Sequence, residues 1–245
     1  MNRFVGKRIL VTGAASGIGR ATALRLASED GLVFAVDRDA KRLKDLIHNR
    51  ITTHTADIAH EQEVLHAVHT AYEVLGGLDA LINVAGIHRI TPLPDLTPTA
   101  FHDLLAINCV GTALMCREAM PHLMTSRGVV VNVASTAATH GHPYMTAYAA
   151  SKGALLAFSL SLAAEVAPHR VRVVAVSPGG VRTPMVTAME VPEGADIDPT
   201  FFSRTRPLTG YGEPEQIAAT IAYAASSDGS YLTGVELRVD GGSHV

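Results

Sequence analysis

The chain has 245 residues, 47% of them hydrophobic and 18% charged, which is enough apolar side chain for a large core and too much for a disordered chain or a disulfide-stapled mini-protein. Twenty basic residues against 23 acidic ones leave a formal net charge of −3. With no clustered run of Lys and Arg, that balance argues against nucleic acid or an acidic membrane surface and for a small, neutral partner.

The first apolar run, Ile9-Leu10-Val11, reads as a strand and is too short for the core of a signal peptide, so a cytoplasmic protein is expected. It leads into Thr12-Gly13-Ala14-Ala15-Ser16-Gly17-Ile18-Gly19 and a helix over 17–29. Gly13 would make a tight turn, Gly17 would let backbone amides approach a pyrophosphate, and Gly19 would let helix and strand pack closely; the helix N-terminus completes an anion site. Three glycines are a weak signal in a chain with 21, and the elements on either side strengthen it. So does Asp37, directly after the strand Leu32 to Val36 and 18 residues beyond Gly19. A carboxylate there accepts hydrogen bonds from ribose hydroxyls and repels a 2′-phosphate, which selects NAD over NADP. Arg38 is the counter-signal, since its guanidinium could turn onto such a phosphate, and Asp37 would also serve as a plain N-cap for a helix over 39–48.

A helix over 60–75, a strand Ala80-Leu81-Ile82, a helix over 98–124 and a strand Val129 to Val133 follow. Cys109 and Cys116 lie seven apart in one helical pattern, a poor disulfide geometry without a metal motif, and indicate a reducing compartment. The stretch 128–151 carries no formal charge, but Asn132, His140, Gly141, His142 and Pro143 interrupt it, so no membrane span is expected. His66 and His69 lack a third ligand at a recognisable spacing, and no metal site is expected. His140 and His142 are placed on the wall of a substrate pocket, with His88 and Arg89 near it.

A helix over 147–166 opens on Tyr148-Ala149-Ala150-Ser151-Lys152, and a spacing of four puts phenol and ammonium on one face. The basic residues are sixteen Arg to four Lys, so a compact ammonium beside a phenol reads as a position that Arg could not fill. Using a phenol of pKa about 10 near neutral pH costs roughly 3 to 4 kcal/mol; an ammonium about 5 Å away at an effective dielectric of about 20 returns roughly 3 kcal/mol. Ser135, at the end of the strand Val129 to Val133, could hold a substrate oxygen.

A strand Val171 to Val176 precedes a long irregular stretch, 184–211, with Met185, Met189, Phe201 and Phe202, expected to be a substrate-binding lid. A helix over 213–225 and a strand near 232–239 close the chain. Strands apolar on both faces, alternating with helices, give an α/β fold: a doubly wound, Rossmann-like parallel sheet of about seven strands with helices on both faces, in a single domain over 1–245. Two helical windows, 104–115 and 154–164, are apolar nearly all round and call for cover by a second subunit.

Taken together, these residues resemble the short-chain dehydrogenases/reductases, in their compact single-domain branch, over essentially the whole chain. Thr12-Gly13-x-x-x-Gly17-Ile18-Gly19 matches the family's cofactor motif, Asn83-Val84-Ala85-Gly86 its Asn-Asn-Ala-Gly motif with Val for the second Asn, and Asn108, Ser135, Tyr148 and Lys152 its catalytic set. The resemblance implies cofactor contacts from Gly13, Ser16, Gly17, Ile18, Gly19, Asp37, Arg38, Asp57, Ile58, Asn83, Ala85, Gly86, Tyr148, Lys152, Pro178, Gly179, Val181 and Thr183. It implies hydride transfer between NAD(H) and a secondary alcohol or ketone, with Tyr148 as general acid/base, Lys152 lowering its pKa, Ser135 orienting the substrate oxygen and Asn108 pinning a water. A homotetramer is expected, with a dimer second. The runner-up is an NADPH-dependent 3-oxoacyl-thioester reductase, against which stand Asp37 and the small Ser16 where such reductases often carry Arg. A redox sensor that binds NAD(H) without turnover is disfavoured by the intact catalytic set.

Overall fold

The computed structural model describes residues 2–188, 194–198, 200–202, 207–208 and 210–244. Seven parallel strands form one sheet: β1 (Arg8–Thr12), β2 (Leu32–Asp37), β3 (Ile51–Thr55), β4 (Ala80–Asn83), β5 (Val129–Val133), β6 (Arg172–Pro178) and β7 (Val235–Val239), in the order β3-β2-β1-β4-β5-β6-β7. The chain builds outward from β1 to β3 and then crosses back to β4. The strand order reverses at β1/β4, and the crevice beyond the carboxyl ends there is where such sheets bind ligands.

The helices are α1 (Gly17–Ser28), α2 (Ala40–Leu43), α3 (Glu61–Leu75), α4 (Pro98–Leu105), α5 (Thr112–Ser126), α6 (Thr146–Val166), α7 (Pro184–Thr187) and α8 (Pro214–Ala225). Alternate residues of each strand enter opposite cores. Ile9, Val11, Val33 and Val131 pack with Ala23 and Leu26 of α1 and Ile221 of α8. Leu10, Phe34 and Val130 pack with Val68 of α3, Met115 of α5 and Ala163 of α6. This two-sided burial is why the central strands are unbroken apolar runs.

Four elements depart from the sequence reading. β3 carries no apolar run, because as the sheet's edge it leaves Thr52, Thr53 and Thr55 exposed. The helix over 39–48 shrinks to α2: Asp45 and Leu46 donate to the carbonyls three residues back, a tightened last turn, and Ile47 is 84% exposed. The helix over 98–124 runs to Ser126 but is interrupted by a π-helical segment, Ala106–Gly111. β6 starts at Arg172 and runs on to Pro178.

By length and composition alone, the helical stretches Pro98–Ser126 and Thr146–His169 could cross a membrane. Here both lie against the sheet and turn buried polar residues inward, among them Asn108, Ser151, Lys152 and Ser159. Only 33% and 39% of their most apolar windows are buried within the chain, so apolar surface that includes Val110 and Leu160 stays open.

Candidate active site and cofactor crevice

The crevice is built where β1 meets β4. Thr12 ends β1, and its Oγ1 accepts from the amides of Val84 and Ala85, both at 3.2 Å. Gly13 has φ +69°, and a Cβ there would stand 2.7 Å from the Ala85 nitrogen, so any side chain would strain the turn and push the two loops apart. A Cβ on Gly19 would lie 2.0 Å from the Gly13 carbonyl oxygen, which is the close helix–strand approach the motif predicts. Gly17 faces Thr183 from the loop after β6, and Ile18 packs against the core on the α1 side. Ser16 caps α1 without a side-chain hydrogen bond, leaving the first-turn amides directed at the crevice. Donors, room and helix end together fit the pyrophosphate of a dinucleotide.

Asp37 closes β2. Its Oδ2 accepts from Ala15 N at 3.0 Å and its Oδ1 from Asp39 N at 2.9 Å. The cap of α2 is Asp39, whose Oδ1 accepts from Lys41 and Arg42, so the alternative that made Asp37 a plain N-cap is corrected. Arg38 is exposed, with its guanidinium 3.7 Å from Asp57 Oδ2. Asp57 Oδ1 accepts from Ala59 N, and Ile58 is buried with its carbonyl against Gly111. Asn83 donates to Asn132 Oδ1 at 2.9 Å, and Asn132 donates on to Ser159, a polar thread that pins β4 to β5 and α6. On the far side, Gly179 N donates to Val239 O, and Val181 is buried in a bridge to Gly212. Pro178 ends β6 beside that loop.

Ser135, Tyr148 and Lys152 meet at the mouth of this crevice, supplied by the end of β5 and the first two turns of α6. Ser135 Oγ accepts from Ala137 N at 3.1 Å and also bonds the Tyr148 phenol. Burial holds that phenol above its ordinary pKa, and the Ser135 bond pulls the other way. Lys152 is buried, donates Nζ to Val133 O at 2.8 Å, and is pushed down to about 8 by the loss of water. In this arrangement Lys152 is not among the groups that shift the Tyr148 phenol, its ammonium being bound to the Val133 carbonyl.

Asn108 sits in the π-helical segment, whose wider turn carries its side chain into the protein. It is fully buried; Oδ1 accepts from Ile87 N at 2.8 Å, and Nδ2 donates to Ile87 O and Ser151 Oγ at 2.9 and 3.0 Å. The side-chain amide clamps the loop after β4 to α6. Gly86, in that loop, is wedged so that a Cβ would stand 2.9 Å from Asn108 Oδ1 and 3.4 Å from Lys152 Nζ.

A family profile described as enoyl-(acyl carrier protein) reductase matches residues 13–244. The chain belongs to the short-chain dehydrogenase/reductase family. It is 38% identical over 243 residues to the short-chain reductase protein NovJ of Streptomyces niveus, covering 95% of this chain and 92% of that one. A 3-ketoacyl-(acyl-carrier-protein) reductase from Brucella melitensis, solved with NADH, superposes with a TM-score of 0.89 at 32% identity, over 98% of this chain and 99% of its own. A short-chain dehydrogenase from Burkholderia cenocepacia, solved with NADP, gives 0.89 at 33%, covering both chains fully at 100%. This family member is thus an oxidoreductase with a nicotinamide cofactor, acting on CH–OH or keto groups.

The ring packed on Tyr148 in this dehydrogenase/reductase is that of His88. His88 stands with its ring centroid 4.5 Å from that of Tyr148 and its Nε2 3.3 Å from Met145 Sδ. Burial pushes it down to about 4, and His142 and Lys152 add to the effect. His142, 3.3 Å from Thr136 Oγ1, is likewise pushed down to about 4 by burial and by His244 and His140. His140 stacks on His244 at 4.2 Å and meets Arg238 Nη1 at 3.0 Å. Arg89 pairs with Asp103 of α4 at 3.0 Å.

The sequence reading missed Tyr144, Arg238 and His244. Tyr144 takes φ +60°; its hydroxyl accepts from Asp198 N at 2.9 Å and its ring lies 6.2 and 5.7 Å from Phe201 and Phe202. It holds Asp198, Phe201 and Phe202 of the 184–211 stretch. Tyr144 follows Gly141-His142-Pro143 in a turn that carries no motif, and His244 comes from the chain's far end, so neither had a local signal. Met189 lies outside the described residues.

Proposed function

We propose that the protein transfers a hydride between NAD(H) and a secondary alcohol or ketone, and the observation that carries this is the meeting of Ser135, Tyr148 and Lys152 at the carboxyl end of β5 beside the glycine-rich turn. The bound nicotinamide supplies the hydride acceptor or donor. Ser135 holds the substrate oxygen, and Tyr148 takes its proton in oxidation or returns it in reduction. Lys152, with its ammonium at the Val133 carbonyl next to Gly86, is placed to bind the ribose side of the cofactor. Asp198, Phe201 and Phe202, held against Tyr144, would form part of a cover over the substrate. NAD is favoured because Asp37 faces the ribose end of the crevice as a carboxylate, and Arg38 leans toward Asp57.

The test is a panel of secondary alcohols followed at the NADH absorbance, with NAD⁺ and NADP⁺ side by side. NAD⁺ is expected to give at least about tenfold higher kcat/KM, a difference of about 1.4 kcal/mol. A tenfold advantage for NADP⁺ would overturn the reading of Asp37. A second reading, reduction of 3-oxoacyl thioesters, is favoured by the likeness to the Brucella reductase; acetoacetyl thioester reduced faster than any simple ketone would select it. We place the protein in the cytoplasm as a homotetramer.

A further inference from the structure

We infer that the segment after β7 holds the active site in shape: His244 and Arg238 are positioning residues, acting on the loop between Ser135 and Tyr148 through His140 and His142. This rests on the reaction proposed above and names residues that set its geometry.

The loop 136–145 leaves β5 at Ser135 and delivers Tyr148 in the first turn of α6, so it bears on where both groups stand. Its two ends are tied by backbone: Ala138 N donates to Ser135 O at 2.9 Å, His140 N to Thr136 O at 2.9 Å, and Thr91 N to Tyr144 O at 2.7 Å. Its tip is not. Thr139 and Gly141 are exposed, and a Cβ on Gly141 would meet nothing within 4 Å. What holds the tip comes from the β7 edge of the sheet. His140 stacks on His244 with ring centroids 4.2 Å apart, and His142 meets the same ring at 5.3 Å. His142 Nε2 in turn stands 3.3 Å from the hydroxyl of Thr136, the neighbour of Ser135. Arg238 Nη1 lies 3.0 Å from His140 Nε2, and its Nε lies 3.4 Å from Asp240 Oδ2. A guanidinium only donates, so His140 Nε2 accepts, and its Nδ1 carries the hydrogen toward Thr139 Oγ1 at 3.0 Å.

The holding segment is itself braced. Asp240 Oδ1 accepts from Gly242 N at 3.0 Å, and the Asp240 carbonyl accepts from the buried Ser243 hydroxyl at 2.7 Å. It also reaches the other loops of the site: a Cβ on Gly179 would stand 2.8 Å from Asp240 Cβ, and Gly241 O accepts from Leu208 N at 3.0 Å. His244 Nε2 is buried and has no hydrogen-bond partner among the described residues, so the ring faces carry the contact.

The contact depends on pH in one direction. His140 accepts from Arg238 only while Nε2 is bare, and stacked imidazolium rings repel. The charged and titratable groups facing the three rings are Arg238 of β7, Asp240 after it and His88 from the loop after β4, of which Asp240 alone favours a proton on His244. Burial, with His244 and His140, pushes His142 down to about 4, and burial with His140 also lowers His244. Rings that part return to the ordinary 6.5. The contact is therefore complete above pH 6.5 and is lost as pH falls from there toward 4.

The experiment compares His244→Ala, His244→Phe and Arg238→Met with the unaltered protein. It reads kcat/KM for the best secondary alcohol of the panel and hydrogen–deuterium exchange over residues 136–145. His244→Ala should lower kcat/KM about tenfold, as the loss of a held geometry does. Exchange at the Thr139 and His140 amides should quicken, while NADH affinity by fluorescence stays within about twofold. Arg238→Met should act in the same direction. His244→Phe keeps a ring against His140 but takes no proton, so at pH 8 it should stay within about twofold of the unaltered protein, and at pH 5 it should retain at least about threefold more of its activity.

Unchanged turnover and exchange in His244→Ala, a His244→Phe as impaired as His244→Ala, or equal acid losses in His244→Phe and the unaltered protein would each overturn the assignment. Exchange does not depend on turnover. Quickened exchange in a protein that oxidises no alcohol would sustain the contacts and overturn the proposed reaction instead.

Discussion

Deleting the hydroxyl of Tyr148 while keeping its ring separates chemistry from packing. In Tyr148→Phe the contact with His88 survives, and only the proton-transferring group and its bond to Ser135 are lost. Positioned acid/base groups contribute about 10² to 10⁴ in rate, so kcat should fall by that order while NADH binding, read by fluorescence, stays within about twofold. The protonation of His88 gives a second prediction. Its folded pKa of about 4 lies below the ordinary 6.5, so between those values the unfolded chain binds a proton that the folded one refuses. Stability is complete above pH 6.5 and is lost as pH falls through the window toward 4. His88→Phe removes that loss, and its stability relative to the unaltered protein should improve by up to about 2 kcal/mol between pH 7 and 5, measured by urea titration. The residue types and spacing of Ser135, Tyr148 and Lys152 were legible in the sequence because chemistry ties them to fixed offsets. The direction in which Lys152 points was not, because it depends on the Val133 carbonyl two elements away.

At the scale of elements, strands buried on both faces announced themselves as runs of Val, Ile and Leu, and the glycines of the first turn announced a close approach. β3 was silent, because an edge strand needs only Ile51 to face inward while its threonines meet water. The π-helical segment was silent too, since an amphipathic pattern of period 3.6 does not register one widened turn. Yet that turn sets the geometry of the site: it delivers Asn108 to Ile87 and Ser151 and so fixes the loop carrying His88. Asn108→Ala would orphan the Ile87 amide and carbonyl at once, while the Ser151 hydroxyl keeps its bond to the Tyr148 carbonyl. Each such loss costs about 1 to 3 kcal/mol when buried. We expect at least about 2 kcal/mol of destabilisation in urea, together with a fall in kcat as the loop after β4 comes loose. An unchanged midpoint would show that the clamp is not what holds the loop.

For the whole molecule, the unusual feature is the long pair formed by α4–α5 and α6, which is apolar on more sides than one chain can cover. Val110 is 51% exposed and Leu160 is 40% exposed, on the same two helices whose inner faces carry Asn108 and Lys152. A rotationally symmetric contact repeats its own surface, so an apolar patch on paired helices is self-complementary in a way that a charged one is not. Covering these faces would also hold the catalytic helix and the Asn108 turn from behind, linking assembly to activity. Light scattering should therefore give a mass of at least two chains of 25.8 kDa each, and of four for the homotetramer proposed above, at concentrations where the enzyme is active. Placing an arginine at each position, Val110→Arg with Leu160→Arg, would bury guanidinium groups without partners at a cost of several kcal/mol per interface. The mass should drop to that of smaller species and kcat should decline with it. A monomeric mass for the unaltered chain, or full assembly in the double variant, would mean that these helices are covered by something other than their own copy.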